Sequence, residues 1–439
     1  MKKIILLSFA VIFLSCKDDS SKETPADLDK STIAIVDIAD FKNDLEMDRP
    51  ENLSNIDKEI DSLKNVVEAK PYNVIDLARI ANLLDKRFDL LADVEDLNES
   101  VRFRESVVKN TAIKPENAKR ALAQAYIKQH RFKDADSLIK SFTLDYASRE
   151  SKYVQFDIAM EVGRYEEAEK LLDELKNESD YNYLIRSAKW NDYIGRLDNT
   201  IIAMEKAKEL AESSGRSSWK LWTYSNIADY YGHDGQIQKS YDHYLKTLEL
   251  DPGNDYALKG ISWVAFSHDK DPETALKIID TLFKRHPSPD YLLSKAEIVE
   301  YLNNSEKAAD LQNEFITKVD QQKYGAMYNA YLIEELSHGN ENQKKKALEI
   351  ARKEIKNRAT PEIYDLLGYA MLKNGMEKEA LENHQNFVIG KTYEPVAQMH
   401  TAEILRVNGQ DEKADELKKE LLEADYELGP IVMKEVREI

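Results

Sequence analysis

The side chains able to do chemistry here are eight histidines, at 130, 233, 243, 268, 286, 338, 384 and 400, a single cysteine and a surplus of carboxylates. A zinc hydrolase would place two histidines four apart on one helix face with a glutamate between them, and no pair has that spacing. A serine nucleophile would sit in Gly-x-Ser-x-Gly and a bound phosphate over a glycine-rich loop; the sequence has neither. The acidic loop at 268–274, HDKDPET, has spaced carboxylates like a calcium loop. It lacks the glycine of the sharp turn and the terminal bidentate glutamate. Paired acids such as Glu166 and Glu167 fit a solvated helix face. These residues predict no catalytic site, no metal and no cofactor, and so a binding protein rather than an enzyme.

The elements that would position any site begin after residue 15. Met1-Lys2-Lys3 is a short basic region followed by an apolar run to Leu14, too short for a membrane-spanning helix, which needs about 20 residues. Phe13-Leu14-Ser15-Cys16 then gives way to Lys17-Asp18-Asp19. This resembles a bacterial lipoprotein signal, and the lysine and two acids after the cysteine resemble the export signal of surface lipoproteins in the Bacteroidota. The resemblance implies cleavage after residue 15, lipidation of Cys16, and attachment at the outer membrane on the cell surface, with the periplasmic face as the alternative. Cys16 is the only cysteine, so no disulfide can form within the chain.

Gly and Pro are scarce, 14 and 11 residues, while helix-forming Ala, Leu, Glu and Lys abound. One β-branched run, at 32–36, could form a strand. The net charge of −19 disfavours nucleic acid, whose phosphates require clustered Lys and Arg. The three lysines at 344–346 fit a solvated helix face. Residues 16–50 read as an acidic flexible tether and 51–71 as a capping helix with Ile56, Ile60, Leu63 and Val67 on one face.

Small residues then recur in step. Tyr364, Leu367, Gly368, Met371, Ala380, His384 and Phe387 share their spacing with Tyr224, Ile227, Ala228, Tyr231, Ser240, Tyr244 and Thr247. Ala123 and Ala135, Ala159 and Ala168, Ala188 and Thr200, Ala296 and Ala308, and Ala402 and Ala414 continue the series. The pattern resembles the tetratricopeptide repeat, a helix-turn-helix unit, and implies an all-α, right-handed α-solenoid of about nine to ten units over residues 72–425, with 426–439 as a C-terminal tail. Gly163, Gly195, Gly235 and Gly375 fall at the turn inside a unit, where a left-handed residue ends helix A. The segment 77–107 reads as an elongated unit without a tight turn. One residue is inserted between Ala265 and Ala275, and three between Glu335 and Ala347.

In that family the inward face of helix A lines a concave groove that holds the partner. Carried onto this chain, the resemblance places Tyr153, Asp157, Asp192, Trp222, Asp229, Trp263, Glu297, Glu300, Asp365 and Tyr369 there, with Lys259 and Phe266 beside them. Carboxylates mixed with aromatics suit a peptide carrying basic residues. The expected function is a lipid-anchored envelope scaffold for a protein or peptide partner. The alternative is a glycan- or nutrient-binding lipoprotein working with an outer-membrane transporter.

Overall fold

The structure, a computed structural model, describes residues 33–47, 53–142 and 147–439. The signal segment, Cys16 and the tether up to residue 32 lie outside the described residues. Ala34–Ile439 form one unit. Among the described residues there is no strand, and no helix is long and apolar enough to cross a membrane.

Two helices precede the repeats, α1 (Ile38–Glu46) and α2 (Leu53–Ala69). Ten pairs follow. The first five are α3 (Val74–Leu91) with α4 (Val94–Asn110), α5 (Glu116–Lys128) with α6 (Phe132–Lys140), α7 (Arg149–Glu161) with α8 (Tyr165–Glu174), α9 (Tyr181–Tyr193) with α10 (Leu197–Ser214), and α11 (Ser217–His233) with α12 (Ile237–Leu250). The second five are α13 (Asp255–Trp263) with α14 (Pro272–Arg285), α15 (Asp290–Tyr301) with α16 (Ser305–Val319), α17 (Asn329–Ser337) with α18 (Glu341–Asn357), α19 (Pro361–Lys373) with α20 (Glu377–Phe387), and α21 (Pro395–Val407) with α22 (Asp411–Leu421). A last helix, α23 (Asp425–Glu438), ends the chain. Each helix packs on its pair partner and on the next pair, so the chain is an all-α helical-repeat solenoid.

The small residues set this packing. Ala123, Ala135, Ala159, Ala168, Ala188, Ala228, Ala380, Ala402 and Ala414 are all fully buried. At Gly368 an added Cβ would lie 2.3 Å from the His384 ring, so only a hydrogen fits where α19 crosses α20. Helix A of most pairs stops in a left-handed residue: Gly375 has φ 73°, and His130 and Asn303 take the same conformation without being glycine. The one-residue insertion after Ala265 is absorbed as a π-helical turn, Val264–His268, where the added residue widens one turn.

Three expectations need correction. The first pair is elongated, but through its 18- and 17-residue helices, and Ala92 at φ 52° still makes a tight turn. Residues 34–47, expected within a flexible tether, are docked on α12 and α14. Their apolar stripe is the reason: Phe41 and Leu45 are buried, the amides of Ile35 and Val36 donate to Asp269, and Arg285 donates to the Asp44 carbonyl at 3.0 Å. Residues 33–36 of the β-branched run form no strand, and two of their amides bond to a carboxylate instead. The third correction concerns 426–439: this is no tail but helix α23, with Leu428, Met433 and Val436 buried.

Docking of α1 is local, so Phe41→Ala, which removes a buried ring, is expected to act locally. Amides 35–40 should lose protection from hydrogen exchange while the main urea transition keeps its midpoint; retained protection would place the anchoring elsewhere.

The solenoid also closes on itself. Asn98 donates to the Lys323 carbonyl at 3.0 Å and Asn357 to the His130 carbonyl at 3.2 Å, partners 225 and 227 residues apart. Gly163 meets the backbone of Ala359, Gly195 the ring of Tyr393 and Gly232 the ring of Tyr426. Turns and helices of the early pairs thus rest on late segments of the chain, α23 included, at a seam.

Candidate functional site

The inner wall is built by the A helices of successive pairs, and α23 lies on it. It packs against α11, the π-helical turn, α15 and α21. Its first turn is clamped through one carbonyl: the Tyr426 oxygen accepts from Ser267 Oγ at 2.6 Å and from Trp263 Nε1 at 3.1 Å. Lys270 reaches Asp425, and the far end is held where Arg406 donates to the Ile439 carbonyl and Lys418 to that of Arg437. Gly429, at φ 73°, kinks the helix ahead of Pro430. A Cβ there would lie 2.6 Å from the Trp263 ring, so the missing side chain lets α23 reach the wall.

At two places the wall sets a carboxyl against one of α23, while Lys270 pairs with Asp425 and Lys373 and His338 attract Glu435. Glu435 of α23 lies close enough to Glu297 that burial and this second carboxylate push the Glu297 carboxyl up to about 8. Glu394 is pushed up to about 7 by burial and by Glu427, Asp192 and Glu362. Burial raises Asp192 as well. His233 Nδ1 lies 3.9 Å from Glu427 Oε1. Like charges in a partly dry interior weaken the seating of this helix.

The expected groove residues fall into three groups. Asp229, Trp263 and Glu297 come together around one cavity of about 220 Å³, with Tyr244, Tyr256 and Phe266. Asp192 faces Glu427, and Trp222 stays 41% exposed with its edge toward Tyr181. The others make contacts within the fold. Asp157 accepts from Arg186 at 2.6 Å, and the same guanidinium lies 4.5 Å from the buried Tyr153 ring, tying α7 to α9. Glu300 accepts from Ser305 at 2.9 Å. Asp365 and Tyr369 belong to a buried network: His400 Nδ1 lies 2.9 Å from Asp365 Oδ2, its Nε2 3.3 Å from Glu334 Oε1, and the Tyr369 ring stacks on it at 3.7 Å. Glu334, Asp365 and His400 come from α17, α19 and α21, so one imidazole joins three successive A helices.

Tyr256 and the whole of α23 were not anticipated as parts of the wall. The signal for α23 was present in Leu428, Val432 and Val436, which recur at helical spacing after Gly429-Pro430. A larger cavity of about 650 Å³ adjoins the first and shares Tyr256 and Lys259 with it; the turn after α3, through Phe88 and Ala92, forms its opposite side. The acidic loop at 268–274 has structural duties: Asp269 holds the segment before α1 and Asp271 caps α14.

The fold and this wall define a helical-repeat protein whose inner face carries a helix. No family model matches the sequence, and no curated protein matches it. Solved structures similar to it include the APC/C hetero-tetramer Cut9-Hcn1, at 14% identity and TM-score 0.33 over 87% of this chain and 86% of that one. Yeast Tom70 is similar at 14% identity and TM-score 0.36 over 85% and 82%. A signal-transduction ATPase with a tetratricopeptide repeat sensor from Pyrococcus horikoshii is similar at 15% identity and TM-score 0.36 over 84% of this chain and 55% of that one.

Proposed function

We propose that this protein is an envelope scaffold, tethered by lipid on Cys16 at the outer membrane, that binds a basic helical segment of a protein partner on its inner wall in place of α23. The observation that carries the reading is α23 itself. The wall already accepts a helix through Trp263, Ser267 and a glycine-width gap, yet it faces that helix with carboxylates. A segment offering Lys or Arg where α23 offers Glu427 and Glu435 would bury the same surface without the repulsion.

A fluorescent peptide of residues 425–439 with Glu427 and Glu435 changed to lysine tests this. It should bind the intact chain saturably, and about tenfold more tightly once Tyr426→Ala loosens α23. The unmodified peptide should bind more weakly than the lysine form. Equal binding of both peptides, or none to either chain with circular dichroism unchanged, would overturn the proposal. The tether is tested separately: Cys16→Ser should move the protein from the membrane fraction to the soluble one.

A further inference from the structure

We infer that the cavity between α11, α12, α13 and α15 is a binding site for a small organic cation bearing an N–H donor, a protonated alkylamine, held by Glu297 within a box of aromatic rings. The inference shares Trp263 and Glu297 with the partner reading above but needs α23 in place rather than displaced.

Four rings line the cavity, those of Tyr244, Tyr256, Trp263 and Phe266. Their placement is fixed by the fold. Tyr244 passes over Gly260, where an added Cβ would lie 2.2 Å from the ring, and Trp263 meets Phe266 edge-on at 6.0 Å. Asp229 accepts from the hydroxyls of both Tyr244 and Tyr256, the latter at 2.5 Å, which turns those two side chains into one rigid wall. With its acceptors engaged in this way, Asp229 contributes negative potential rather than a free ligand.

Glu297 is different. It lines the same cavity, its Oε1 is sealed from solvent, and that oxygen has no hydrogen-bond partner among the described residues. A buried acceptor without a donor is costly, and a buried carboxylate more so. The one cation lining the box is already engaged elsewhere: Lys259 pairs with Asp290 at 2.5 Å and lies 5.7 Å from the ring of Tyr291. What the box lacks is therefore a donor to this carboxyl, and a donor that brings positive charge would hold the carboxyl ionised. An alkylammonium supplies both, and its carbon chain would lie against the rings, whose faces attract cations. A quaternary ammonium supplies the charge without the donor. The larger cavity, sharing Tyr256 and Lys259, gives the approach.

Titration calorimetry on the full chain with butylammonium, putrescine, tetramethylammonium and neutral butanol tests the assignment. The two amines should bind at one site, about tenfold or more tightly than tetramethylammonium or butanol, the margin of a charge-assisted hydrogen bond. Glu297→Gln should lose that margin while the melting temperature holds or rises, because an amide of the same shape replaces a carboxyl whose ionisation burial penalises. Trp263→Leu should weaken both amines as a second, independent variant. No heat from either amine up to about 10 mM, equal binding of butanol, equal binding of tetramethylammonium, or undiminished binding by Glu297→Gln would each overturn the inference.

Discussion

His400→Ala is expected to cost the fold about 3–5 kcal/mol, the usual loss when one partner of a buried ion pair is removed and the others are left behind. Two carboxylates on two different helices, Asp365 and Glu334, would lose their shared partner, and the stacked face of Tyr369 would lose its neighbour. Burial works against charge on His400, but Asp365 and Glu334 outweigh it and hold the imidazolium well above its ordinary value of 6.5. Burial likewise opposes charge on Glu334, while His400 and His338 hold it below its ordinary 4.5. The signs follow by linkage. The raised histidine stabilises fully below pH 6.5 and loses its contribution as pH rises through the folded value. The depressed glutamate stabilises above pH 4.5 and loses its contribution as pH falls. The gap in urea midpoint between the native chain and the variant should therefore be widest between these values and narrow on both sides, because raised carboxyls such as Glu297 and Glu394 titrate in both chains alike. A profile parallel to the native one would mean that the histidine is neutral in the fold.

Gly163→Val is expected to cost about 2–4 kcal/mol and to open the seam. At φ 77° a β-branched residue is strained, and its Cβ would sit 2.4 Å from the Ala359 carbonyl oxygen. That atom is backbone and cannot swing aside like a side-chain end. Relief requires the early turn of the solenoid to separate from the late one, so small-angle scattering should show a larger radius of gyration beside the lowered urea midpoint. Gly235→Val offers the comparison: it has φ 71° with nothing near its added Cβ. It should show the strain cost without the expansion. If the two variants behave alike, the seam is not under compression at Gly163.

The repeat register was readable because small residues at one crossing recur along the chain, and packing allows few alternatives at Ala380 or Gly368. The site was less readable. Asp365 and His400 are 35 residues apart and look unrelated on the page, although one repeat brings them into contact. Asp157 and Tyr153 have the inward spacing of ligands, and only Arg186 of the next unit shows them to be braces. Closure between Gly163 and Ala359, or Gly195 and Tyr393, has no local signature, because both glycines read first as turn residues and only secondarily as contacts. The docking of residues 34–47 was hidden by composition: Asp37, Asp40 and Asp44 suggest solvation, while Phe41 and Leu45 carry the binding.

That docking fixes where mechanical load would enter. A pull on the chain ahead of residue 34 would reach α12 and α14, midway along the repeats, through Asp269 and Arg285 before it reached α2. The early hairpins would be spared tension until those bonds broke, after which the force would pass through residues 48–52 to α2 and begin to peel the stack from its end. The molecule thus holds a breakable link in parallel with its own backbone, one that would yield in two stages under force.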